Sequence, residues 1–88
     1  MTDIMRPFIN INGTSREELV QQRIHAREGL LIAYEAMKGL MPNGRDYIGQ
    51  PDSFQQDFEI WAARQRILED LNAALLDEAI TIKWDKQD

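Results

Sequence analysis

Ser15-Arg16-Glu17-Glu18-Leu19-Val20-Gln21-Gln22-Arg23-Ile24-His25-Ala26-Arg27-Glu28-Gly29-Leu30-Leu31-Ile32-Ala33-Tyr34-Glu35-Ala36-Met37 decides the fold. Leu19, Ala26, Ala33 and, just beyond, Leu40 recur at a spacing of seven, with Leu30 and Met37 between them. Val20, Ile24, Leu31, Tyr34 and Met41 form a neighbouring line. Together they make one broad apolar face at helical period. Upstream, Thr14 with Glu17 or Ser15 with Glu18 fits a capping box, in which a hydroxyl accepts an orphan N–H and the Glu reaches back. Downstream, Gly39 is suited to a left-handed cap and Pro42 cannot continue the ladder. A long helix over about residues 15–41 follows.

Pro42-Asn43-Gly44-Arg45-Asp46-Tyr47-Ile48-Gly49-Gln50-Pro51-Asp52-Ser53 is rich in turn formers and reads as a loop over about 42–53. Asp52 or Ser53 is placed to cap a second helix. Phe54, Phe58, Trp61, Leu68, Leu71, Leu75 and Ala79 then line one side at helical spacing, predicting a helix over about 54–79. The two ends alternate with period two instead. Phe8-Ile9-Asn10-Ile11-Asn12 and Ala79-Ile80-Thr81-Ile82-Lys83-Trp84 meet if the helices fold back, predicting a short two-stranded ribbon that joins the termini. The expected fold is all-α: one domain over residues 1–88, an antiparallel two-helix hairpin with that ribbon at its open end.

Such a hairpin hides only the seam between its helices, and each helix has apolar residues to spare. Gly29, Ile32, Ala36 and Gly39 lie away from the main stripe of the first helix, and Ile60, Ala63, Ile67 and Ala74 run beside that of the second. Residues of this kind let another helix approach. A chain this short buries only roughly 60% of its unfolded surface, so self-pairing into a four-helix bundle is the expected way to enlarge the core. The competing arrangement is a monomer whose terminal segments fold over the second face. Gly29, Ile32, Ala36, Ile60, Ala63 and Ile67 are the expected oligomer interface.

The 88 residues are 43% hydrophobic and 28% charged, which is ordinary for a globular domain and excludes wholesale disorder. No apolar run is long enough to span a membrane. The start, Met1-Thr2-Asp3-Ile4-Met5-Arg6-Pro7, lacks the basic and apolar segments of a signal peptide, so a cytoplasmic location is expected. With no cysteine, disulfide scaffolds, thiolate metal sites and Cys nucleophiles are excluded. The net charge is −5, with the acids concentrated after residue 45. Arg16, Arg23, His25 and Arg27 are the densest basic group, and Glu17, Glu18 and Glu28 interrupt it, so nucleic acid is not the expected partner.

Catalytic constellations are missing as well. His25 is the one histidine and sits among polar positions; Ser15 and Ser53 occupy cap positions with no base in a motif. The adjacent acids Glu17/Glu18, Glu69/Asp70 and Asp77/Glu78 diverge by about 100° on a helix and do not converge on a substrate or metal. No enzyme activity, metal or cofactor is expected. The loop group Arg45, Asp46 and Tyr47 offers a guanidinium fork and a ring, which suit a phosphate ligand. The plainer reading pairs Arg45 with Asp46 and packs Tyr47 and Ile48 beneath the loop. Tyr34, Phe58 and Trp61 are expected in the core, and Arg23 and Arg27 opposite Glu69 in ion pairs.

Ile11-Asn12-Gly13-Thr14-Ser15-Arg16-Glu17-Glu18-Leu19, the long helix, Pro42-Asn43-Gly44-Arg45-Asp46-Tyr47 and the second helix resemble small uncharacterised proteins of tailed bacteriophages and prophages. The resemblance runs from about Ile9 to Ile82 and implies a setting rather than a chemistry. Small acidic helical proteins of that kind act by binding: they block host defence complexes, sequester signalling nucleotides or assist virion assembly. The expected function is accordingly self-association plus capture of a host or phage protein, for example as a counter-defence inhibitor. The acidic residues Asp57, Glu59, Glu69, Asp70, Asp77 and Glu78 of the second helix are the expected partner surface. The alternative is a nucleotide- or phosphate-sequestering protein whose site joins Arg45 and Tyr47 to Arg23 or Arg27 of another subunit; a structural virion or assembly component is the third reading.

Overall fold

A computed structural model describes residues 3–84. The chain is an all-α hairpin: α1 spans Arg16–Met37, α2 spans Pro51–Trp84, and single 3-10 turns at Lys38–Leu40 and Gly44–Tyr47 lie in the connection. The molecule is a rod of 64 × 21 × 17 Å. Its radius of gyration is 18.5 Å, against about 12 Å for a compact domain of this length.

Ser15 starts α1, its hydroxyl accepting the Glu18 N–H at 3.1 Å, with Glu17 and Glu18 at the positive end of the helix. The other end departs from the sequence reading. The α-helix stops at Met37 and tightens into the Lys38–Leu40 turn, and Gly39 is not left-handed. Pro42 is the stop, since it forces Met41 into an extended conformation (ψ 128°). Gly49, with φ +79°, is the one residue with positive φ among those described, and it sends the chain into α2. That helix begins earlier than expected, with Pro51 in the first turn, where its missing N–H costs nothing. Gln50, rather than Asp52 or Ser53, supplies the first carbonyl, accepting from the Phe54 N–H at 3.3 Å.

The terminal ribbon does not form. Ala79–Trp84 continues α2, because Ala79 and Ile82 extend the seam at the spacing already set by Phe58, Trp61, Gln65, Leu68, Asn72 and Leu75. Adding residues to an existing helix satisfies one N–H per residue fixed, whereas a lone ribbon must be nucleated. The N-terminal segment crosses the open end as an irregular strap. Ile4, Pro7 and Ile9 are half-buried, while Phe8 and Ile11 face out. Asn10 then reverses the chain, its carbonyl accepting from Gly13 and its side-chain oxygen from Asn12. Gly13 lies so close to Asn10 that a Cβ there would meet the Asn10 amide nitrogen at 3.2 Å.

The seam joins Arg16, Val20, Arg23, Arg27, Leu30, Tyr34 and Met37 of α1 to the α2 positions just named. It is unusually polar. Arg16 Nη1 donates to the Ile82 carbonyl (2.6 Å), Arg23 Nε to Glu78 (3.1 Å), Arg27 Nε to Asn72 (2.9 Å), the Tyr34 hydroxyl to Glu69 (2.9 Å) and Trp61 Nε1 to the Met37 carbonyl (2.8 Å). Of the described apolar residues only Ala74, Ala79 and Ile82 are buried. Tyr34 and Trp61 are half-buried against the seam as expected, and Phe58 sits at its exposed margin.

Candidate binding surfaces

The registration of the two helices decides which charges are free. Arg23 and Arg27 do not meet Glu69. Residues facing each other across the seam add up to about 100, which places Glu78 and Asn72 opposite the two arginines and Glu69 opposite Tyr34. Glu78 therefore does not belong to an outer acidic surface. It is 3% exposed, with one carboxylate oxygen on Arg23 and the other accepting the Met5 N–H at 2.9 Å. The guanidinium forks of Arg23 and Arg27 are likewise engaged inside the hairpin, roughly 20 Å of helix from the connection that holds Arg45 and Tyr47.

Seam geometry separates the remaining acids. Asp70 and Asp77 share the outer ridge of α2 at a spacing of seven, with Glu59 and Glu69 to one side and Asp57 on the other. Asp57 accepts the Tyr47 hydroxyl at 2.6 Å and Glu59 accepts the Gln55 amide at 3.1 Å. These carboxylate acceptors push the Tyr47 and Tyr34 phenols above their usual 10.0, the hydrogen bonds that the hydroxyls donate to Asp57 and Glu69 being the largest causes.

At the closed end the loop braces itself. The Asn43 side-chain oxygen accepts from the Arg45 N–H and Nε, at 3.0 and 3.4 Å, so Asn43 rather than Asp46 orients Arg45. Tyr47 stacks edge-on against Phe54 at 5.5 Å and starts a ladder that continues to Phe58 and Trp61 at 6.2 and 5.7 Å. Ile48 does not pack beneath the loop; it is exposed. Beside the ladder is a cleft of about 290 Å³ lined by Leu40, Pro42, Tyr47, Asp57, Ile60, Trp61 and Arg64. A smaller apolar groove of about 150 Å³ lies between the helices at Leu30, Leu31, Tyr34, Leu68, Glu69 and Asn72.

The apolar surface is distributed by the same register. Positions 22, 26, 29, 33 and 36 form one edge of α1, extended by Leu40 of the 3-10 turn, and 57, 60, 64, 67, 71, 74 and 78 form the adjoining edge of α2. At the open end the Met5 N–H bonds to Glu78, and Met5 lines an open hollow with Gln22, Arg23, Ala26 and Leu75, so the strap crosses this face there. The edge changes along its length: Ala74 is 7% exposed, and Ile67, two turns earlier, is 64% exposed. Toward the loop the face is open, and it carries four of the six residues expected at an oligomer interface: Gly29, Ala36, Ile60 and Ile67. Ile32 and Ala63 are also exposed, but they sit on the backs of α1 and α2, opposite the seam.

Sequence reasoning passed over Arg64, which shares the 57–60–64–67 edge and has no hydrogen-bond or ion-pair partner among the described residues. It also passed over Gln65, 5% exposed in the seam, whose side-chain oxygen has no partner there. The three-four spacing around Ile60 and Ile67 was the available signal for the first; nothing in composition marks the second. His25 is on the surface, 3.8 Å from Glu28. No group of three or more His, Cys, Asp or Glu among the described residues is placed to hold a metal ion, and none of their helices is long and apolar enough to cross a membrane. Comparison with protein families, curated proteins and solved structures found no match to this chain.

Proposed function

We propose that the protein is a non-enzymatic binding module: it self-associates and, in that form, captures a protein partner, in the cytoplasm of a phage-infected or prophage-bearing cell. The carrying observation is an inversion of the usual burial order. Arginine, glutamate, asparagine and glutamine occupy the seam, while Leu31, Ile32 and Ile67 are each more than half exposed. Apolar groups left in water over such an extent belong to an interface. The phage setting and a counter-defence role rest on the resemblance of residues 9–82 alone.

The partner-facing surface in this reading is the outer ridge of α2, centred on Asp70 and Asp77, and a basic partner suits it. Complementary charge speeds encounter and makes capture salt-sensitive. Two measurements test the proposal. Native mass spectrometry should give a discrete oligomer; a monomer at micromolar concentration removes self-association. Affinity capture from the producing host should recover a partner that is lost on Asp70→Lys/Asp77→Lys, with the circular dichroism unchanged. Equal capture by the variant removes the acidic ridge from the reading. Sequestration of a nucleotide is the less favoured reading, because the arginines it needs from α1 are engaged in the seam.

A further inference from the structure

The open half of the 57–78 edge carries two opposite charges and a geometric limit, and together these select its occupant. Arg64 is exposed and unpartnered among the described residues. Asp57, two helical turns earlier on the same edge, uses one carboxylate oxygen for the Tyr47 hydroxyl and leaves the other free. Between them Ile60 is 42% exposed. The strap crosses the open end of this face and bonds to Glu78, so a partner that docks flat sits on the loop half.

We infer that this half-face binds a second copy of the chain about a two-fold axis, with the α2 helices antiparallel and Asp57 of each copy against Arg64 of the other. This rests on the self-association proposed above and specifies its geometry. A two-fold contact is self-complementary, so the level of the axis decides which residues meet. With the axis at Arg64, the two guanidiniums face each other and repel. With the axis at Ile60–Trp61, Asp57 meets Arg64 twice, Ile60 packs near the axis, and Ile67 of one copy reaches the Phe54 level of the other. The overlap, from Pro51 to Leu71, is roughly 30 Å long and as wide as the two helices. That is on the order of 600 Å² before corrugation, approaching the about 800 Å² per partner of a standard interface. The strapped open ends project beyond it on either side, and the product is the four-helix bundle that a thin hairpin core calls for.

The test uses the full chain and two single variants, Asp57→Arg and Arg64→Asp, in native mass spectrometry and sedimentation over a concentration series. Each variant alone places like charges opposite twice and should weaken the dimer on the order of tenfold or more. Mixed together they restore both pairs, and a one-to-one heterodimer should form as tightly as the wild-type dimer. Circular dichroism checks that each variant is folded. A wild-type dimer that neither variant weakens, or weakened variants that fail to recover on mixing, overturns this geometry and leaves self-association standing. A wild-type monomer overturns both.

Discussion

Glu78→Ala is the sharpest perturbation of the hairpin itself. The Glu78 and Arg23 side chains are 4% and 11% exposed, and the carboxylate serves two donors on two different segments: Arg23 Nε of α1 and the Met5 N–H of the strap. Removing one partner of a buried pair costs about 3–5 kcal/mol, mostly through the charge left behind. Arg23 keeps two fallback acceptors for its Nη1, the Leu19 carbonyl at 3.3 Å and Gln22 Oε1 at 3.4 Å, so the low end applies, about 3 kcal/mol. Against a total of about 4–13 kcal/mol for a chain of this length, the variant remains folded but loses about 12–24 °C in Tm. Replacing both partners with apolar residues, Arg23→Met/Glu78→Leu, should bring stability back to within about 1 kcal/mol of wild type, because neither charge is then buried. Urea unfolding followed by circular dichroism reads all three proteins, at one fixed concentration because an oligomer's stability depends on it. A loss below about 1 kcal/mol in the single variant would mean a solvated pair. A double variant no better than the single one would refute the burial argument outright.

Gln65→Leu removes the unpartnered oxygen from the seam and should raise stability by about 1 kcal/mol, read as a higher urea midpoint; a drop would reveal a partner for that oxygen. Both tyrosines titrate above 10.0 in the folded state, so their stabilising hydrogen bonds are complete below pH 10 and are lost as pH rises through the folded values. The tyrosinate absorbance of the folded protein should therefore rise at higher pH than that of the urea-unfolded chain, and coincident curves would contradict the Tyr34–Glu69 and Tyr47–Asp57 bonds. Gly49→Ala meets no atom within 4 Å of its Cβ, so its cost, about 1 kcal/mol, is purely that of φ +79°. A neutral result in thermal melts would mean that the loop adopts another conformation at that residue.

What the sequence disclosed depended on whether a signal was local. The Ser15 cap, the long α1, the turn-rich connection and the second helix are written in periodicity and capping chemistry, and the hairpin follows from them. Ala79–Trp84 misled because Ile80, Thr81 and Ile82 alternate like a strand; only the position of Ala79 and Ile82 in the α2 seam shows that the helix continues. The acidic surface was legible in part. Asp70 and Asp77 are outside as expected, but the place of Glu78 depends on which α1 residue stands opposite, and helix pairing is a long-range fact. A shift of one turn would have put Arg27 on Glu78 and left Arg23 facing Ile82, with no acid opposite it. Composition assigns the charges, and register assigns their roles.

Register also connects the polar seam to the open face. Two apolar helices of this length could slide past each other by a turn at little cost, since one leucine layer resembles the next. The bonds that Arg16, Arg23, Arg27, Tyr34 and Trp61 make across the seam all belong to this register, so a slip of one turn breaks all five. Buried polar groups add little net stability, and fixing a unique alignment is their best-attested use. That alignment brings the 22–36 edge of α1 beside the 57–78 edge of α2 and places Leu40, Ile60 and Arg64 around one cleft. A slip by one turn would dismantle that cleft and carry Glu78 away from the Met5 N–H, releasing the strap from the open end. The hairpin thus spends its interior on alignment, and the surface that this alignment assembles is the one left free to bind.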